Sequence, residues 1–431
     1  MQWDVFCQVI DNYGDAGVCW RLATNLAQLG QRVRLWMDDA SPLQWMAPDF
    51  SHHPAIEVMV WPAVQAQKTA IVHEGFHFPD VLVEAFGCDI PDVYLQALAS
   101  QIGFCDTVDE ACTTPVAVPT QRIWPVWLNL EYLSAEPYVE RMHMLQSPIM
   151  FGLAKGQTKT FFYPGFTALT GGLLRELDVL DRQAVFDRMQ WRAQTVAAHQ
   201  LHHAQFSDCG PAALASQCDA QWISLFAYEP ACLPQWLSEW ASGGGDVVVL
   251  AMAGRSQTWL RQCWQNLGWG EAKAEVLKHG RLTVYALPHT SQDEFDQALW
   301  ACDCNIVRGE DSLVRALWAG QPFLWNIYPQ EDNAHHAKLN AFLNWLGACA
   351  DWRAAMHLLN AMDEFMPSTR DTLPQSARAV VWPTQANLQQ WRETAQEARR
   401  RLRQQPDLAT ALLHGVERQS SLALRGGSSS E

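Results

Sequence analysis

The stretch Cys304-Asn305-Ile306-Val307-Arg308-Gly309-Glu310-Asp311-Ser312-Leu313-Val314-Arg315-Ala316-Leu317-Trp318-Ala319-Gly320-Gln321-Pro322-Phe323 decides the fold. Cys304–Val307 is a short apolar run of strand type. Leu313, Ala316, Leu317 and Gly320 then recur at helical spacing, and Phe323–Ile327 reads as the next strand. The charges are packed into the one turn between strand and helix. Asp311 or Ser312 is placed to cap that helix, whose open first-turn N–H groups form an anion site. Arg308 and Arg315 flank the turn with positive charge, so a phosphate-bearing ligand is the expected occupant.

Working outward, Trp222–Ala227, Val247–Met252 and Leu282–Leu287 are strand candidates of the same series. The first part of the chain repeats the logic. Trp3–Ile10 reads as a strand, Asp11–Gly17 as a polar, Gly-bearing loop, and Val18–Leu29 as a helix ended by Gly30. Arg32–Met37, Ile56–Trp61 and Val81–Phe86 follow as strands. Such alternation predicts an α/β protein with parallel sheets wrapped by helices. Leu180–His203 is polar and helical, and with the Ser/Asp/Cys/Gly/Pro stretch through Pro211 it reads as an insertion plus linker. Two α/β halves joined this way place a cleft between them, with ligands at the carboxyl ends of strands. Trp391–Gln404 reads as a basic helix, and the Gly/Ser tail from Gly426 as disordered.

At 431 residues the chain is too long for one ordinary domain, and 48% hydrophobic residues permit sizeable cores. A net charge of −16 argues against a nucleic-acid binder that works by neutralising phosphates. None of the 12 Cys forms a CxxC pair, and the Cys302/Cys304 spacing has no His cluster beside it, so no zinc site is expected. Asp4 interrupts the N-terminal apolar run, and no stretch is long enough to span a bilayer. Free thiols without an export signal predict a cytoplasmic protein that binds no membrane. The 21 Trp lie mostly in apolar periodic segments, which favours core packing over carbohydrate stacking.

In the loop Asp11-Asn12-Tyr13-Gly14-Asp15-Ala16-Gly17, Gly14 and Gly17 allow close backbone approach. Two acidic residues stand where a phosphate would sit, so the loop is a poor phosphate cradle. It suits a general base or the holding of a cation, unless Asp15 caps the helix and Asp11 makes an Asx turn. Phe226 and Tyr228 are two apart on a strand and point to one face, either toward a base or sugar or into the core. Gly243-Gly244-Gly245 lacks the Lys-Ser/Thr sequel of a P-loop. His335 and His336 are adjacent on a helix and point apart, which predicts a solvated face rather than a metal site.

Several segments together resemble the EarP family, bacterial protein-arginine rhamnosyltransferases acting on elongation factor P. They are Val9–Leu22, Asn129-Leu130-Glu131-Tyr132-Leu133-Ser134-Ala135-Glu136, Gly171-Gly172-Leu173-Leu174-Arg175-Glu176, Arg308–Ser312 and Asn326-Ile327-Tyr328-Pro329-Gln330. They run in order from about residue 3 to 345. The resemblance implies a GT-B fold, two Rossmann-like domains facing across a cleft, with no catalytic metal and no cofactor. It implies inverting transfer of rhamnose from dTDP-β-L-rhamnose to one arginine of elongation factor P, which then relieves polyproline-stalled ribosomes. By the same resemblance Asp15 is the general base, Asp11 its partner, and Glu310 orients acceptor or donor. Arg308, Asp311, Ser312 and Tyr328 hold the diphosphate, while Phe226, Tyr228, Gln292 and Phe295 line the thymidine and sugar pocket. His289 stands where the family tends to carry an aromatic, and Asn12, Tyr13, Gly14 and Gly17 are assigned to the donor as well.

The expected division is an acceptor domain over residues 1–218, a nucleotide-sugar domain over 219–395, a helix near 396–416 returning to the first domain, and a disordered tail over 417–431. Two other readings stay open: a GT-B glycosyltransferase for another acceptor, and an inactive scaffold that binds the translation factor.

Overall fold

The computed structural model describes residues 1–9, 13–61, 78–102, 123–201, 220–330, 333–361 and 382–426. The chain divides into two compact units, Met1–Leu177 with Gln405–Glu431, and Asp178–Gln404.

The first unit is built on a seven-stranded sheet. Its strands are β1 (Gln2–Cys7), β2 (Arg32–Met37), β3 (Ile56–Val60), β4 (Val81–Ala85), β5 (Val126–Leu130), β6 (Gln146–Pro148) and β7 (Thr158–Phe162). The order is β3-β2-β1-β4-β5-β7-β6, and only the β6–β7 pairing is antiparallel. Its central strands are covered on both faces, which is why they read as near-continuous apolar runs. Val5, Cys7, Val83 and Leu128 pack on one face with Leu22 and Leu26 of the Gly14–Gln28 helix. Phe6, Trp36, Leu82 and Trp127 pack on the other with Tyr94 and Leu98 of the Asp92–Ile102 helix. Asp4 is the polar exception in β1. It lies opposite Arg34 in the ladder, which grips it bidentately at 2.7 and 2.8 Å, and Tyr94 donates its hydroxyl to the same carboxylate.

The chain leaves this unit at Leu177 and re-enters it at Gln405. The Leu408–Gly426 helix lays Leu408, Ala409, Leu412 and Val416 into the core beside the first helix. The helix expected near 396–416 is therefore two helices, Gln385–Arg403 in the second unit and Leu408–Gly426 in the first, broken at Gln404–Asp407. Nor is 417–426 a tail, since it completes the last helix; residues 427–431 lie outside the described residues.

The second unit carries a six-stranded sheet of order β10-β11-β9-β8-β12-β13, antiparallel only at β10–β11. The strands are β8 (Gln221–Leu225), β9 (Val247–Ala251), β10 (Val276–His279), β11 (Leu282–Ala286), β12 (Cys304–Arg308) and β13 (Phe323–Asn326). Trp222, Trp236, Trp240, Trp264, Trp325, Trp352 and Trp391 are fully buried here, as core packing requires. The segment from 178 to 201 belongs to this unit, not to the first, and is no loose insertion. In its Arg188–Leu201 helix, Arg188 and Arg192 both bond Asp303 and the Ala301 carbonyl, fixing the helix to the sheet. Residues 202–219 lie outside the described residues. His335 departs from its predicted solvated face: it is buried, and its Nδ1 accepts the Gln330 N–H at 3.1 Å.

Candidate active site

β12 ends at Arg308, and the turn that follows is shaped by Gly309, whose φ of 64° an L side chain would resist. The Gly309 carbonyl accepts the Trp325 indole N–H at 2.7 Å, which ties the turn to β13. The Asp311–Ala319 helix then begins with Glu310 as its N-cap and no side-chain cap bond. Capping by Asp311 or Ser312 is thus not what occurs. Ser312 turns back instead, accepting the Arg308 N–H at 3.0 Å and donating to the Arg308 carbonyl. The N-cap side chain thus makes no cap bond to the first turn of the helix.

Arg308 lies over two aromatic faces, 4.4 Å from the Phe226 ring centroid and 5.0 Å from that of Tyr228. Burial lowers its basicity, with the Tyr228 hydroxyl pulling the other way. Its Nη1 is buried with no hydrogen-bond partner. An unsatisfied, partly desolvated cation is costly, and an anion would remove the cost. Phe226 meets Phe295 edge-on at 5.3 Å, and Tyr228 meets Tyr328 edge-on at 5.5 Å. Tyr228 is positioned by its backbone N–H, which donates to Asn326 Oδ1 at 2.8 Å, and burial pushes its hydroxyl up to about 12. Tyr328 is 43% exposed, and His289 is exposed too, whereas Gln292 and Phe295 are half-buried at the start of the Gln292–Ala301 helix. Phe226, Tyr228, Phe295, Arg308 and Tyr328 therefore form one connected cluster at the carboxyl ends of β8, β12 and β13.

Arg315 does not flank the turn with free charge. It points beneath the helix and closes a fully buried bidentate pair with Asp296, at 2.8 and 2.5 Å. Three participants escaped the sequence reading. Lys338 reaches Glu310 in a charged hydrogen bond, Arg255 stands 5.2 Å from the centroid of the same Tyr228 ring that Arg308 covers, and Glu229 holds Arg255 bidentately. Lys338 lies in the Ala334–Leu346 helix, and only an i,i+28 pairing links it to Glu310, a separation with no local periodic signal.

In the first unit, Asp15 occupies the first turn of the Gly14–Gln28 helix, half-buried, where the helix dipole favours a carboxylate. The N-cap is Tyr13, not Asp15, and the Tyr13 carbonyl accepts the Gly17 N–H at 3.0 Å. Tyr13 is 47% exposed and meets Trp45 edge-on. Gly14 is exposed, and Gly17 is buried. Asp11 and Asn12 lie outside the described residues. The Gly171–Glu176 motif is structural: Glu176 holds Arg21 of the first helix at 2.8 Å, both buried.

A family profile described as "Elongation-Factor P (EF-P) rhamnosyltransferase EarP" matches residues 3–417. A protein-arginine rhamnosyltransferase of Pseudomonas putida is 40% identical over 423 residues, covering 96% of this chain and 97% of its own length. One from Neisseria meningitidis serogroup B is 31% identical over 432 residues, 97% of each chain. A solved structure presented as the structural basis for EarP-mediated arginine glycosylation of translation elongation factor EF-P has a TM-score of 0.55 and 29% identity. It is matched over 96% of this chain and 97% of that one.

Proposed function

The chain belongs to the EarP family of GT-B protein-arginine rhamnosyltransferases, and from that premise we propose that it moves L-rhamnose from dTDP-β-L-rhamnose to one arginine of elongation factor P, with inversion. The observation that carries the donor half is the buried, unpartnered Nη1 of Arg308 beside an uncapped helix N-terminus. Two diphosphate oxygens would satisfy both. Phe226, Phe295, Tyr228 and Tyr328 supply aromatic surface for the base and sugar, and the family resemblance assigns Gln292 and His289 to the same pocket. The second unit is thus the donor unit, and the first unit holds the acceptor.

Arginine is a weak nucleophile, because its guanidinium is delocalised and its pKa lies above about 12. Asp15, with Asp11 from the same loop, holds the cation and orients one nitrogen toward the anomeric carbon. The N–C bond forms on the face opposite the departing diphosphate. The nitrogen's proton passes to the Asp15 carboxylate as the C–O bond breaks, which gives an α-linkage. Arg308 and the helix amides take up the charge of the leaving group, work that a metal performs in other glycosyltransferases, so the reaction is metal-independent. Glu310, fixed by Lys338, orients the sugar. The modified factor then acts on stalled ribosomes in the cytoplasm.

The test is the intact mass of elongation factor P after incubation with this protein and dTDP-β-L-rhamnose in EDTA. One deoxyhexose added at an arginine is the expected result. Addition only with magnesium restored would overturn metal independence, and no addition under either condition would overturn donor or acceptor.

A further inference from the structure

The carboxyl ends of β4, β5 and β7 carry a group of side chains that the donor site does not use. Phe86 follows β4 with φ at 58°, a conformation uncommon for a bulky side chain. Its ring stacks on Tyr132, which follows β5, at 4.9 Å and 26°. Strained backbone that persists where a ring is presented is a pointer to use. Phe86 is half-buried against the core of this unit while Tyr132 remains 43% exposed, so Phe86 backs a ring that the core does not cover. Beside it, Glu131 is half-buried and accepts one hydrogen bond, from Asn129 Nδ2 at 2.7 Å. Among the described residues no basic side chain pairs with it. Burial raises its carboxyl above the ordinary range, and burial, with this carboxylate nearby, raises the Tyr163 hydroxyl.

The placement is defined by topology. β4 lies between β1 and β5 in a parallel run, so the turn after β4 and the Glu131–Tyr132 turn leave the sheet at the same end as the carboxyl end of β1, after which the chain enters the Gly14–Gln28 helix that carries Asp15. Adjacent strands are about 4.8 Å apart.

We propose that Glu131, Tyr132 and Phe86 form the subsite that receives the acceptor arginine, Glu131 taking one edge of the guanidinium and Tyr132 its flat face. A guanidinium presents five N–H donors and a planar π-face, so one edge binds a carboxylate while the face stacks on an aromatic ring. Asp15 is then left to take the proton from another edge. The subsite rests on the reading that the acceptor is a protein arginine.

The experiment is steady-state transfer from dTDP-β-L-rhamnose with elongation factor P varied, on full-length wild type, Glu131→Gln, Tyr132→Ala and Tyr132→Phe. Donor affinity and thermal unfolding are measured alongside. Glu131→Gln keeps the Asn129 hydrogen bond, and Tyr132 is exposed, so the variants have little reason to unfold. Glu131→Gln and Tyr132→Ala should raise the acceptor KM about tenfold, with donor affinity and the unfolding midpoint unchanged. Tyr132→Phe should stay close to wild type. Folded variants with an unchanged acceptor KM, or with weaker donor binding, overturn the subsite while leaving the function intact. A wild type that transfers nothing overturns the functional reading and this subsite with it.

Discussion

Arg308 bears the electrostatic burden of the second unit, because its guanidinium is partly desolvated, rests on two aromatic faces and leaves Nη1 unbonded. A hydrogen bond to a charged group contributes about 1.5–3 kcal/mol, so Arg308→Ala should weaken dTDP-rhamnose binding by roughly ten- to a hundredfold. Arg308→Lys should recover only part of this, since an ammonium lacks the planar fork. Titration calorimetry reads both, and an alanine variant that binds like wild type would remove Arg308 from the site. Lys338 makes a subtler case. It neutralises Glu310 at the N-cap of the Asp311–Ala319 helix, beside the proposed diphosphate position. Lys338→Met should therefore weaken donor binding by leaving a bare carboxylate there, and adding Glu310→Gln should restore binding without restoring turnover. A double variant no better than Lys338→Met would refute the repulsion argument; the comparison is a double-mutant cycle. Neither Lys338 nor the inward turn of Arg315 was legible in the sequence. Both depend on which way a long side chain leaves its helix, and a charge count in a loop carries no such information. That Phe226, Tyr228 and Arg308 stand at strand ends was legible from the local pattern, whereas Phe295 and Tyr328 were named only through the family resemblance, because nothing in their own segments links them to the others.

At the scale of elements, the strands of the β1–β4 and β8–β13 runs other than β10 followed from apolar patterning, while β5 to β7, β10 and the exact ends did not. β1 stops at Cys7, short of the predicted Ile10, because Val9 leaves the ladder and donates its N–H to Asp38 Oδ1 at 2.8 Å. β5 and β7 were passed over in the sequence reading, although Val126–Leu130 and Thr158–Phe162 complete the parallel run. The strand Thr158–Phe162 is held in part by a side chain that titrates. His143 Nδ1 accepts the Tyr163 N–H at 3.1 Å, and the ring meets Phe162 edge-on at 4.6 Å. That acceptance requires an unprotonated Nδ1. Burial, with Arg418 nearby, brings the imidazole from 6.5 down to about 4. Between those values the unfolded chain binds a proton that the folded chain refuses, so stability falls as pH drops from about 6.5 to about 4. Urea unfolding across that window should show the decline, with a shallower slope in His143→Gln. Equal slopes in the two proteins would mean that the ring titrates freely when folded.

Across the whole molecule, the two α/β units were legible from repeated strand–helix alternation, but their border was not. The sequence placed it near 218 because Leu180–Pro211 looks like polar connecting chain. The structure moves it to Leu177/Asp178, because the arginines of the Arg188–Leu201 helix find Asp303 and Ala301 more than a hundred residues away. The second crossing, at Gln405, is fixed by a close approach. Gly172, at φ 71°, leaves no room for a Cβ against the Pro406 carbonyl, and Leu408 N–H donates to the Leu173 carbonyl at 2.9 Å. The last helix is thus part of the first unit's core and not an appendage. Ending the chain at Gln404 removes Leu408, Leu412 and Val416, which are nearly inaccessible, together with Ala409. At about 1.5–3 kcal/mol for each large apolar side chain, the loss approaches the whole of a typical domain's stability, about 5–15 kcal/mol. The truncated protein should lose protease resistance over residues 1–177 while Asp178–Gln404 survives as a protected fragment, identified by mass. Gly172→Ala should act the same way in milder form, lowering the unfolding midpoint of the first unit by several degrees, about what 1–2 kcal/mol yields in a domain of this size. If the truncated chain kept both units protected, the closing helix would be packing on a core already complete without it, and the buried leucines would have to be replaced by other apolar groups.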